Sequence, residues 1–320
     1  MRALVTGPTG FIGSHLVEAL LADGFSVKCL VRSSSDTSRL DGLDVKLIYG
    51  DCAERETINK AVSDVDYVFH LAGLTKVRFE RDAYRANALG TKNVVEAAAE
   101  NNRSLSRFVY VSSLAAAGPS MDSLPVNEDM EPHPVSVYGR TKLAGEVYVA
   151  QNADKIPVTI IRPPAVYGPR DRDMLVLFKM AKLGIAPVWG KSYYSFIYVM
   201  DLVRGIILAA RSDRAVNETF FLTDGNMYSS DQVLSEVAAS LGKNPFRIRM
   251  PEFVMPFIAS FAERFKSCSI INADKIREIK HKNWTCDSAK AVRLTGFKPE
   301  VKLKDGVRWT ADWYRTHQWL

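Results

Sequence analysis

The chain has 320 residues, 47% of them hydrophobic and 24% charged, with a formal net charge of +6. This composition is that of a soluble globular protein with a sizeable core, and it excludes disordered and fibrous classes. The mild positive balance favours an anionic cofactor or substrate; no Lys/Arg block is dense enough for a nucleic-acid surface, and no apolar run approaches a transmembrane span.

Ala3-Leu-Val-Thr6 is a short apolar run that predicts a buried strand at residues 3–6, leaving no room for a signal peptide before it. It runs into Gly7-Pro8-Thr9-Gly10-Phe11-Ile12-Gly13 and then a helical pattern ending near Asp23-Gly24. Glycines suit a turn that bends sharply, approaches a pyrophosphate and packs against its own strand. The helix that follows offers free N–H groups and the positive end of its dipole. The spacing is G-x-x-G-x-x-G rather than G-x-G-x-x-G, yet the strand before it and the helix after it are the context that dinucleotide binding requires.

A second strand over 26–31 ends in Arg32-Ser33-Ser34-Ser35, with no carboxylate before Asp36. An acidic residue here suits the ribose of NAD, whereas Arg32 better suits the 2′-phosphate of NADP. NADP(H) is therefore the preferred cofactor, with NAD the alternative. Further strands are predicted at 45–49, 67–71, 108–112, 158–162 and 218–222, alternating with helices as in a doubly wound parallel α/β sheet. Tyr138 and Lys142, four residues apart, share one helix face. An ammonium beside a phenol favours the phenolate, so the spacing predicts a Tyr138 pKa lowered from about 10. Such a tyrosine exchanges a proton with an alcohol or carbonyl, and the hydroxyl of Ser113, or of adjacent Ser112, holds the same oxygen.

Beyond Gly168 the pattern is irregular and Pro-punctuated, with helices expected at Met174–Leu183 and Glu252–Phe265. Phe253–Phe261 reads as a helix packed on its own core, with a substrate cap or a membrane contact as alternatives. Cys29, Cys52, Cys268 and Cys286 show no C-x-x-C spacing and are expected as free thiols in a reducing cytoplasm. The five histidines (15, 70, 133, 281 and 317) form no ligand motif, so no metal is expected.

Taken together these segments resemble the extended short-chain dehydrogenase/reductases, the NAD-dependent epimerase/dehydratase superfamily. The resemblance rests on the glycine turn, Gly50-Asp51, His70-Leu71-Ala72-Gly73, Asn87-Ala-Leu-Gly90-Thr91, Tyr110-Val-Ser112-Ser113, Tyr138-Gly-Arg-Thr-Lys142, Arg162-Pro163-Pro164-Ala165-Val166-Tyr167-Gly168-Pro169 and Phe196-Ile-Tyr198-Val-Met-Asp201. It implies a Rossmann-type domain over 1–168, a returning segment at about 195–225, and a smaller substrate lobe from 169–194 and 226–320. It also implies that Tyr138 is the general acid/base, that Lys142 lowers its pKa and bonds the nicotinamide ribose, and that Ser113 polarises the reacting oxygen. The implied cofactor cleft comprises Gly7, Thr9, Gly10, Phe11, Ile12, Gly13, Arg32, Asp51, Cys52, Leu71, Ala72, Gly73, Asn87, Tyr138, Lys142 and Pro163. A homodimer through helices near 85–102 and 137–153 is expected from the same resemblance.

Departures narrow the chemistry. Leu114-Ala115 stands where sugar-nucleotide dehydratases carry Asp-Glu, and Ala115 also replaces the cysteine of GDP-sugar epimerase/reductases. Ala165 and Tyr194 occupy places where sugar-nucleotide enzymes carry an Asn and a diphosphate-binding Arg, with Arg170, Arg172, Lys191 or Arg277 as candidate substitutes. The R-P-P-x-x-Y-G-P block looks more like dihydroflavonol-reductase-like and 3β-hydroxysteroid-dehydrogenase-like members. The leading expectation is an NADP(H)-linked oxidoreductase of a secondary alcohol or ketone. A nucleotide-sugar 4-epimerase is the alternative, and a non-catalytic dinucleotide-binding protein the remote one.

Overall fold

The computed structural model describes residues 1–75, 79–121, 124–188, 190–249 and 273–320. Its main sheet contains β1 (Arg2–Thr6), β2 (Ser26–Val31), β3 (Val45–Tyr49), β4 (Tyr67–His70), β5 (Arg107–Val111), β6 (Val158–Arg162) and the later strand β10 (Glu218–Phe221). The seven strands are all parallel, in the spatial order 3-2-1-4-5-6 with Glu218–Phe221 outside β6. The expected strands are present within a residue at each end. Alternation explains the two cores: Ala3, Val5, Phe69, Val109 and Ile161 enter one face, and Leu4, Val68, Phe108 and Ile160 the other. Helix α1 (Phe11–Ala22) covers the first face, joined later in the chain by α8 (Val199–Arg211). The second face is covered by α2 (Arg55–Val62), α4 (Gly90–Asn101) and α6 (Val137–Ala150), where α3 (Glu80–Ala83) and α5 (Leu114–Ala117) are single turns.

The strand order reverses between β1 and β4, the place where a doubly wound sheet opens a ligand crevice at its carboxyl edge. A buried polar chain crosses this point. Thr91 Oγ donates to the carbonyl of Asn87 (2.6 Å), so toward His70 Nε2 (2.9 Å) it acts as acceptor. Neutral His70 then carries its proton on Nε2, and Nδ1 accepts from the Thr6 hydroxyl at 2.7 Å. Thr6 Oγ in turn accepts from the N–H of Ala72 at 3.1 Å. Every atom in this chain has a partner, as buried polar atoms require.

A smaller sheet joins β7 (Ala165–Tyr167), β9 (Tyr193–Tyr198), β11 (Met227–Ser229) and β13 (Asn283–Trp284). Its aromatic residues pack with helix α7 (Met174–Lys182) and helix Leu303–Thr316 in a core of their own. A two-stranded ribbon of β8 (Ile185–Val188) and β12 (Phe246–Arg249) completes this part. The expected helix Met174–Leu183 is present, whereas the expectations at Glu252–Phe265 and Phe253–Phe261 lie outside the described residues. The helix expected from residue 85 opens instead with a wider π turn over Tyr84–Leu89, which contains Asn87.

Burial and the Lys142 charge lower the His70 pKa to about 3. The unfolded chain binds this proton near 6.5, so between these values it holds more protons than the native state. Stability should be full above pH 6.5 and fall as pH drops below it, with a slope from this group approaching about 1.4 kcal/mol per pH unit. Urea unfolding at a series of pH values should show this slope in the parent and a shallower one in His70→Gln.

Candidate active site

The turn after β1 is built for close approach. Gly7 has φ +68°, and a Cβ there would lie 2.9 Å from the Ala72 backbone nitrogen. A Cβ on Gly13 would stand 2.1 Å from the Gly7 carbonyl oxygen. Strand, turn and helix are thus packed backbone to backbone, and α1 starts at Phe11 with no side chain capping it. The uncapped first turn of this helix follows directly on β1 at the switch point, the arrangement that receives a pyrophosphate. Thr9, Ile12 and Phe11 are partly buried around this turn, and Phe11 meets His15 edge-on at 5.9 Å. The residues present fit a dinucleotide.

Across the crevice, Leu71, Ala72 and Gly73 follow β4. Asn87 is fully buried and fixes this segment: its Oδ1 accepts from the N–H of Leu74 at 2.7 Å, and its Nδ2 donates to the Leu74 carbonyl and to Thr141 Oγ, both at 3.0 Å. Asp51 accepts from the N–H of Ala53 at 2.9 Å in the turn after β3. Cys52 beside it has its thiol pushed up to about 12 by burial. Pro163 lies at the end of β6, where its carbonyl accepts from the N–H of Leu114 at 2.8 Å. Arg32 is exposed at the end of β2, far along the sheet edge from Tyr138.

Ser113 ends the β5 segment as the cap of α5, its Oγ accepting from the N–H of Ala115 at 3.1 Å. It also lies near enough to the Tyr138 hydroxyl to work against the rise of that group's pKa. Tyr138 and Lys142 lie one turn apart on α6, so Ser113, Tyr138 and Lys142 come together at the carboxyl end of β5. The electrostatics differ from expectation in one respect. Burial pushes Tyr138 up to about 12; Ser113 works against this and the Glu278 charge adds to it. The lowering expected from Lys142 is not felt because its ammonium turns to the sheet. Lys142 Nζ donates to the Val111 carbonyl at 2.7 Å and sits 4.2 Å from the centre of the Tyr110 ring. Burial lowers Lys142 to about 7, and the Glu146 charge alone among its neighbours opposes that.

Glu146 continues the same helix face one turn further. It receives Arg162 as a two-pronged pair, Nε at 3.0 Å and Nη2 at 2.6 Å, and accepts from the Ser112 hydroxyl as well. Both side chains of the ion pair are more than nine-tenths buried. The i, i+4, i+8 series Tyr138, Lys142, Glu146 was available in the sequence as a helical stripe. Two further residues have no such signal. Asp274 accepts from the N–H groups of Val137 (2.7 Å) and Tyr138 (3.0 Å), while Ser136 Oγ takes that of Gly139. One distant carboxylate thus satisfies two free donors at the start of α6. Arg39 donates to the Thr9 carbonyl at 3.4 Å. Burial and the charges of Arg172 and Arg170 lower its pKa, placing a cationic group against the glycine turn. Arg170 is itself held by Ser14 (3.2 Å) and Glu18 (2.6 Å).

Residues 3–222 match the model of the NAD dependent epimerase/dehydratase family. The chain belongs to that family. Among curated relatives of this epimerase/dehydratase member is the ceramide reductase of Caulobacter vibrioides, 31% identical over 99% of this chain and 95% of the relative. A 4-hydroxy-2-methyl-3-oxo-4-farnesyl-3,4-dihydroquinoline-1-oxide ketoreductase of Stigmatella aurantiaca is 32% identical over 77% of each chain. Its fold is that of the UDP-glucuronic acid 4-epimerase from Bacillus cereus solved in complex with NAD, with TM-score 0.81, 24% identity and coverage of 99% of both chains. The family is one of NAD-dependent oxidoreductases and epimerases, and the chain is an enzyme of this type.

Removing one partner of the buried pair leaves a charge without compensation. Glu146→Ala should destabilise the protein by about 3–5 kcal/mol. Replacing both members by apolar residues, Glu146→Met with Arg162→Met, should cost clearly less than either single change. Denaturant unfolding of the three variants measures this coupling.

Proposed function

We propose that this enzyme is an NADP(H)-linked oxidoreductase that reduces an apolar ketone, or oxidises the corresponding secondary alcohol. The observation that carries the reading is the convergence of Ser113, Tyr138 and Lys142 at the carboxyl end of β5, beside the glycine turn. A tyrosine at about 12 is a proton donor throughout the physiological range. The bound nicotinamide would supply the hydride to the carbonyl carbon. Tyr138 gives its proton to the carbonyl oxygen as negative charge develops there, and Ser113 donates a hydrogen bond to the same oxygen. Lys142, whose ammonium lies beside Gly73, bonds the nicotinamide ribose. Glycine-turn N–H groups hold the pyrophosphate; Asp51 and Cys52 lie toward the adenine, and Asn87 and Pro163 border the reacting end. Arg32 with Arg39 selects the 2′-phosphate.

The apolar substrate is supported by the names of the two reductase relatives, which act on ceramide and on a farnesylated quinoline. It is supported also by Tyr194, an aromatic residue where a diphosphate clamp would need a cation. The substrate lobe is proposed as residues 169–194 and 226–320 packed on the Rossmann domain. A homodimer through α4 and α6 fits the exposed side chains of Tyr84, Leu89 and Val147 along that side. Cytoplasmic residence fits the free, largely buried thiols of Cys29, Cys52 and Cys286. The second reading, a nucleotide-sugar 4-epimerase with retained NAD, is favoured by the similarity of fold to the Bacillus cereus enzyme. Net change in nicotinamide absorbance with an added ketone distinguishes the two, because an epimerase restores its cofactor within each turnover.

Tyr138→Phe should reduce turnover by about 10²–10⁴-fold while leaving cofactor binding, followed by fluorescence titration, unchanged. Unaltered turnover would sink both enzymatic readings. Arg39→Ala should weaken NADPH binding by about 10–100-fold and leave NADH binding nearly unchanged, since only the former carries the 2′-phosphate. Equal losses for both cofactors would place Arg39 on the pyrophosphate instead.

A further inference from the structure

The ribbon of β8 and β12 has two unlike faces. In its parallel register Phe246 pairs with Ile185 and Arg247 with Ala186, so partners share a face. Ala186 is buried, and Arg247 reaches α9 (Ser230–Ser240), donating to Ser235 Oγ at 3.0 Å and pairing with Asp231 at 3.7 Å. The opposite face carries Ile185, Phe246 and Ile248 into solvent, with Leu183 beside them where the N–H of Phe246 meets the Gly184 carbonyl at 2.8 Å. Phe246 and Leu183 are each 77% exposed, and Ile185 and Ile248 38% and 37%. Scattered surface apolar residues are ordinary, but four on one ribbon face form a patch that needs a partner.

The charge around the patch identifies that partner. Exposed Lys182 and Lys243 flank the patch, and residues 182–188 and 243–249 contain no acidic residue; Arg247, on the other face, is already paired with Asp231. A second copy of the chain on this face would bring like charges together across the two-fold axis. A bilayer with anionic headgroups accepts the apolar side chains at its acyl boundary and pairs with the cations around them. We propose that the outer face of the β8–β12 ribbon seats the protein on an anionic lipid surface. No helix among the described residues is long and apolar enough to cross a membrane, and this contact needs none. The proposal complements the apolar-substrate reading, since such substrates partition into lipid, but it stands on the patch alone.

The full chain, without cofactor or substrate, should co-sediment with phosphatidylcholine vesicles containing phosphatidylglycerol and far less with phosphatidylcholine alone. Added salt should weaken the association. The pair Leu183→Glu with Phe246→Glu should lower vesicle partitioning by ~tenfold or more at unchanged melting temperature. Lys182→Glu with Lys243→Glu should remove the preference for anionic vesicles. Absence of sedimentation, or partitioning untouched by these changes, overturns the proposal. So does a fall in melting temperature in the Leu183/Phe246 variant, which would show the patch to be covered by the chain itself. A dimer-to-monomer shift of that variant on gel filtration would likewise overturn it, in favour of a second copy. Because binding is read without turnover, failure here leaves the oxidoreductase reading intact, and the reverse holds.

Discussion

The Glu146 carboxylate joins three pieces of the fold that have to stay in register for the crevice to exist. It anchors α6 to the end of β6 through Arg162 and to the end of β5 through Ser112, and its charge opposes the desolvation of Lys142. A charge this deeply buried is tolerable only when its partners are close and directional, which the forked guanidinium supplies. Arg162 is the last residue of its strand and Glu146 lies two helical turns beyond Tyr138. The ion pair therefore fixes where α6 crosses the sheet edge, and with it where the Tyr138 hydroxyl meets Ser113.

A second set of constraints works from the opposite side of the crevice. The Thr6–His70–Thr91 hydrogen bonds lock β1, β4 and α4 together beneath the glycine turn, while Asn87 ties the segment after β4 to Thr141 of α6. The two networks approach one another at Lys142, whose charge also contributes to keeping His70 neutral. Crevice walls that carry a phosphate turn on one side and a proton donor on the other are thus held by fully partnered buried polar groups. Such groups are directional, so they specify one geometry where apolar packing would allow several.

Legibility followed the physics of each element. The inner strands of the main sheet are buried on both faces and read as apolar runs, and edge strand β3 still carries Val45, Leu47 and Ile48, so the strand limits were visible to within a residue. Strands of the smaller sheet are two to six residues long and aromatic, with polar residues among them, and carried no comparable signal beyond the motif around Phe196. The π turn around Asn87 escaped notice because one widened turn barely alters the apolar spacing of the helix that follows. The Tyr138 and Lys142 spacing was legible as a shared face. Where the ammonium points was not, since that depends on the Val111 carbonyl and the Tyr110 ring, both on a strand some thirty residues earlier.

By itself the sequence determined the doubly wound sheet, the glycine turn at its switch point and the Tyr138–Lys142 helix face. These depend on local periodicity and on residue types that tolerate few backbone conformations. Tertiary structure decided the electrostatics and the long-range attachments. It raised Tyr138 rather than lowering it, brought Asp274 to the first turn of α6 from more than a hundred residues away, and set Arg39 against Thr9. It also left one face of the β8–β12 ribbon apolar and open. Desolvation and contact between distant segments are properties of the packed chain, and no local stretch of sequence encodes them alone.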